Sequence, residues 1–104
     1  MDIRVRKRYY KRSKKGRSPA SFIARQPRGV GTDVHATIRL DPVLKKHKDL
    51  RKGVLKHETD EIKAWGKGKT STHRYANRNE PKVTRRLGGV KGFWREIERR
   101  NKRR

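Results

Sequence analysis

The run His57-Glu58-Thr59-Asp60-Glu61 holds the residues of this chain best suited to chemistry. On a helix, His57 and Glu61 stand four apart, so both side chains project from one face, one turn apart. That spacing lets a helix offer an imidazole nitrogen and a carboxylate oxygen to one metal ion. Glu58 stands beside them and suits the role of general base toward a water. A second helical pattern, from Thr72 or His73 to Asn79, sets His73 and Glu80 seven apart on one face, with Asn77 between them. Folded back after Gly66 and Gly68, it would carry His73 over His57 and Glu61 and complete a three-ligand zinc site with one open position. The same residues have an electrostatic reading as well. His57, Glu58, Asp60 and Glu61 then serve as helix-surface partners for Lys52, Lys56, Lys63 and arginines of a neighbouring helix, at a few tenths of a kcal/mol per pair. His35 and His47 stand alone and receive no role.

The elements that must position these residues follow from periodicity. In Asp33 to Leu40, Val34, Ala36, Ile38 and Leu40 alternate with His35, Thr37 and Arg39, which predicts a strand with one buried face. Asp41-Pro42 ends it. Leu50, Val54, Ile62 and Trp65 recur at helical spacing and predict a helix from His47 or Lys48 to Trp65, with Asp49 near its start and glycines at its end. Ile3 and Val5 alternate with Arg4 and Arg6, and Ala20 to Arg25 gives a second short strand pattern. The two are expected to pair as a hairpin around Ser13 to Ser18. Residues 26–32 read as loop. Leu87-Gly88-Gly89 reads as a joint, and Phe93, Trp94 and Ile97 mark a final short helix. The fold class is α+β: a short N-terminal β-hairpin or sheet packed on two to three helices, with basic extensions at both termini. Residues 1–17 form a basic arm or edge strand, 18–87 a small core, and 88–104 a basic C-terminal helix and tail.

Charge bounds the partners. The 104 residues carry a net charge of +23, and only 29% are hydrophobic, so a large core is not available. The excess is +10 over residues 1–30, +5 over 31–80 and +8 over 81–104. Such a chain binds polyanions through counterion release, tightly at low salt and weakly at high salt. The N-terminal clamp is Arg4, Arg6, Lys7, Arg8, Lys11, Arg12, Lys14, Lys15 and Arg17, with Tyr9 and Tyr10 to stack on bases. The C-terminal clamp is Arg99, Arg100, Lys102, Arg103 and Arg104. Dispersed arginines with Tyr9, Tyr10, Trp65 and Trp94 favour irregular RNA over DNA. These features describe a structural component of a cytoplasmic, ribosome-like ribonucleoprotein particle, together with other proteins of that particle. DNA in a virion is the competing polyanion. No run is long and apolar enough for a membrane span, no secretory h-region follows the first basic residues, and the absence of cysteine excludes disulfides and thiolate metal sites. Few oxidisable or deamidating residues fit a thermophilic source. Gly66-Lys67-Gly68-Lys69-Thr70 lacks the spacing of a phosphate-binding loop.

An alternating strand, a helix with His57-Glu58-x-x-Glu61, and a following segment His73-Arg74-Tyr75-Ala76 through Glu80 resemble the very small zincin-like proteins of phage and other mobile elements. The opening Lys-Arg-Tyr-Tyr-Lys-Arg run is similar to openings seen in such proteins. The resemblance covers roughly residues 34–80. It implies a minimal zinc-dependent peptidase with His57, Glu61 and His73 as ligands, Glu58 as base and zinc as cofactor. Glu61 stands where the usual zincin helix motif carries its second histidine.

Overall fold

The computed structural model describes residues 2–69, 76, 84 and 86–102. The second helical pattern over residues 72–79, together with His73, Asn77, Glu80, Arg103 and Arg104, lies outside them. Strands β1 (Ile3–Tyr9), β2 (Ala20–Arg25) and β3 (Val34–Leu40) form one sheet in the order β1-β3-β2. A 3-10 turn over Pro42–Lys46 leads into helix α1 (Lys48–Gly66), and helix α2 spans Val90–Lys102. The small α+β domain follows the expected class. Among the described residues no helix is long and apolar enough to cross a membrane.

The expected β1–β2 hairpin is not formed. β1 runs parallel to β3, and β2 runs antiparallel to it on the other side. Composition explains the order. Val34, Ala36, Ile38 and Leu40 of β3 are all buried, while β1 buries none of its residues fully and β2 only Ala20. The strand with the most apolar surface to remove from water takes the centre, and the charged strand takes an edge. Side chains from one sheet face meet Leu44, Leu50, Ile62, Phe93, Trp94 and Ile97 in a single core.

Because β1 and β2 flank β3, residues 10–19 must cross the end of β3. Asp41, fully buried at that end, holds the crossing. Its carboxylate accepts from the backbone N–H groups of Val43 (2.9 Å) and Lys14 (3.0 Å) and from Arg17 Nη2 (3.2 Å). Its own N–H donates to the Pro19 carbonyl at 2.8 Å. Trp94 Nε1 donates to the Arg17 carbonyl at 2.8 Å, which ties α2 to the same crossing. At the other end of the sheet, the β2–β3 loop caps α1. Gly31 N–H and Gln26 Nε2 both donate to the Gly66 carbonyl at 2.8 Å, satisfying one of the acceptors that a helix end leaves open. Arg100 closes the far side with two bonds to Asp49, at 2.9 and 2.7 Å, and this holds the Asp49 carboxyl down at about 2.

Burial pushes the Asp41 carboxyl up, but the bonds from Ser13, Val43, Lys14 and Arg17 outweigh it and hold it below the usual carboxylate range. A depressed carboxylate stabilises the fold above its unfolded pKa near 3.8, and that stability is lost as pH falls through the folded value. Asp41→Asn is therefore expected to destabilise the protein by about 2–3 kcal/mol at neutral pH and by much less at the acid end. Urea melts from pH 7 down to pH 2 check this. An equal loss at every pH would contradict it.

Candidate metal centre and the placement of the basic residues

Glu58 occupies an unusual place on α1. Leu50, Val54 and Ile62 repeat every four residues along the buried stripe, and Glu58 fills the position between Val54 and Ile62. An acid there is carried toward the core by the same periodicity that buries its neighbours. Glu58 is 8% exposed, and its carboxyl is raised to about 7, first by burial and then by the charge of Glu61. Among the described residues no lysine or arginine pairs with it. His57 Nε2 lies 3.5 Å from Glu61 Oε2, and the ligand atoms of His57, Glu58 and Glu61 all fall within 4.8 Å of one another. Of the lysine pairs expected from spacing, one is formed, Lys56 Nζ to Asp60 at 3.0 Å, while Lys52 and Lys63 are solvent-exposed. The acidic run thus divides into Asp60, held by Lys56, and a three-residue cluster on the other flank.

The cluster opens into a cleft of about 790 Å³. Among the described residues, one wall is the start of β2 with its approach, Ser18 to Phe22, and the other is Leu87 to Val90 with Phe93. Val54 and Thr84 complete the lining. Thr84 packs so closely on α1 that a Cβ added at Gly53 would lie 2.4 Å from its Cγ2. Glycine at a mid-helix position costs roughly 1 kcal/mol against alanine, and here that cost admits the neighbouring segment. The donor set suits a divalent cation of zinc type: one imidazole and two carboxylates, one of them buried.

The basic residues fall into two groups. Arg17, Lys15, Arg99 and Arg100 are committed internally: Arg17 to Asp41, Lys15 to Glu98, Arg99 to Glu96, and Arg100 to Asp49 and Glu96. The expected tyrosine contacts to bases also meet internal partners. The Arg17 guanidinium lies 3.8 Å from the Tyr10 ring centroid, Tyr10 Oη bonds Ser21 Oγ at 3.0 Å, and Lys45 Nζ sits 4.8 Å over the Tyr9 ring. Trp94 is buried, edge-on to Phe93 at 5.1 Å, and Trp65 packs half-buried against the core. Both tryptophans therefore serve packing. Arg4, Arg6, Lys7, Arg8, Lys11, Arg12, Lys14 and Lys102 are exposed. Arg25 and Arg39, absent from the clamps drawn on sequence, are exposed on the sheet as well. Their alternation with Ala24 and with Ile38 and Leu40 is the signal that places them there.

Glu58 generates a pH dependence of opposite sign to that of Asp41. A carboxyl raised in the folded state costs stability as pH climbs from its unfolded value of 4.5 toward 7. In metal-free protein, Glu58→Gln is expected to remove that cost, on the order of 3 kcal/mol above pH 7, and to change little at pH 4. Thermal melts in chelator at both pH values measure it, and a variant less stable than the parent at pH 8 would contradict the burial of a charge at this position.

No protein-family model matches this chain, no curated protein is detectably similar to it, and no solved structure matches it.

Proposed function

We propose that the α1 cleft is a minimal zinc-dependent hydrolase site of zincin type, acting on peptide bonds. The observation that carries this is the buried Glu58, in a protein of net charge +23, facing His57 and Glu61 with no lysine or arginine against it among the described residues. His57 and Glu61 would hold the ion, with His73 as the further ligand that the sequence pattern supplies. Zinc would contribute Lewis-acid polarisation of the scissile carbonyl. Glu58, ionising at about pH 7, is matched to take a proton from an attacking water and to return it to the leaving amine. Its apolar surroundings keep that proton affinity high. β2 is an edge strand, and its far edge pairs with no described strand, so an extended peptide has a backbone partner beside the cleft.

Elemental analysis of protein stripped of nucleic acid in high salt is expected to find about one zinc per chain, lost in His57→Ala. Glu58→Gln should keep the zinc and lose roughly 10²–10⁴-fold in cleavage of an unstructured protein substrate. Failure to take up zinc supplied at neutral pH would overturn the reading.

A second reading concerns the surface. The charge excess and the many exposed arginines that pair with no carboxylate among the described residues support binding to the phosphate backbone of nucleic acid, RNA in the first instance. A ribonucleoprotein particle or a packaged genome is the corresponding setting. The two readings concern different faces and are compatible.

A further inference from the structure

The face of the sheet turned away from the helices is built in three cross-strand rows. The register aligns Arg4 with His35 and Arg25, Arg6 with Thr37 and Ile23, and Arg8 with Arg39 and Ser21. The three strands contain no Asp or Glu. Asp2 and Asp33 lie just beyond one end, where Asp33 accepts from the Asp2 N–H at 2.9 Å. None of Arg4, Arg6, Arg8, Arg25 and Arg39 pairs with a carboxylate among the described residues. Arg8 and Arg39 are directly opposite each other, an arrangement of like charges that costs stability in an isolated sheet. Ile23 stands in the middle row, 59% exposed, and a shallow recess of about 630 Å³ runs between it and Arg4, Arg6, Arg25, His35 and Thr37.

We infer that this open sheet face binds a single-stranded nucleic acid, with its sugar-phosphate backbone along the arginines and a base over Ile23 and His35. The inference rests on the nucleic-acid reading above and names its site. Alternate residues on a strand repeat about every 6.6 Å, so Arg4, Arg6 and Arg8 form a ladder whose step is comparable to that between phosphates of an extended strand. A phosphate between Arg8 and Arg39 turns the unfavourable like-charge pair into a two-sided clamp. The face is only three strands wide and shallow, so it suits one strand whose bases can be splayed out, and it offers nothing to enter a duplex groove. The exposed aliphatic surface of Ile23 would have no partner in a contact made with phosphates alone.

The test compares two triple variants of the full chain by fluorescence anisotropy, using a labelled single-stranded RNA of about 15 nucleotides and its duplex. One variant is R6Q/R25Q/R39Q on the sheet. The other is K46Q/K52Q/K67Q, which removes the same charge from exposed positions on the 3-10 turn and α1. The sheet variant is expected to lose about tenfold or more at moderate salt, and its log–log salt slope should shrink by about 2, while the control keeps most of both. R6K/R25K/R39K should restore the slope, which separates lost contacts from lost folding. Equal losses in the two glutamine variants, or tighter binding of duplex than of single strand by the parent, would overturn the sheet-face inference while leaving backbone binding standing. A parent chain that binds neither oligonucleotide would overturn both.

Discussion

A carboxylate buried at the end of the central strand is the constraint on which the rest of this fold depends. With β1 and β2 on opposite flanks of β3, the connecting chain must pass over the end of the sheet, where its backbone donors would otherwise lie against apolar side chains. Asp41 receives those donors, starts the 3-10 turn through Val43, and gives Arg17 a fixed position. Trp94 then reads that position through the Arg17 carbonyl. One side chain therefore sets the crossing, the turn into α1 and the seating of α2. In so small a core, with little apolar area to bury, such polar fixtures define the arrangement as much as packing does.

Charge imposes a second constraint, and the structure meets it by sorting. Four basic residues of the terminal segments pair with Asp41, Asp49, Glu96 and Glu98, and three of these pairs, Arg17–Asp41, Lys15–Glu98 and Arg100–Asp49, tie the loop 10–19 and α2 to their neighbours. Most of the other described cations face solvent. Against this background, Glu58 stands out: it is buried beside His57 and Glu61 and pairs with no lysine or arginine among the described residues. Glu58 carries a desolvation cost that a glutamine would not, because burial holds its carboxyl well above the usual range.

Much of the fold was legible in the sequence, for a stated physical reason. The alternation in residues 34–40 and the four-residue repeat of Leu50, Val54 and Ile62 each fixed one element within a residue of its observed bounds. Periodicity reports which face of a strand is buried, but not which strand lies beside it, and so the hairpin expectation failed. The partner is chosen by comparing apolar content among strands, and β3 wins that comparison. Arg17 and Trp94 show the same limit. Their types suggested nucleic-acid contact, whereas their roles come from Asp41 and from residues more than twenty positions away. For the candidate site the comparison is confined to α1, since His73 lies outside the described residues. The His57–Glu61 spacing held, and the burial of Glu58 was encoded in its place between Val54 and Ile62. The sheet face escaped notice because its arginines come from three separate strands and meet only through register.

The parallel pairing of β1 also has a consequence for the order of assembly. During synthesis β1 is made before β2 and β3, yet its ladder partner among the described strands is β3, and β2 and its loop are made in between. Until residues 34–40 emerge, β1 waits as an unpaired strand. Arg4, Arg6, Lys7 and Arg8 make that wait safe, because a strand so charged repels copies of itself and resists edge-to-edge association. The β2–β3 hairpin and α1, whose contacts are local, are free to form before β1 docks on β3. The charge on β1 thus protects the nascent chain before it serves the folded one.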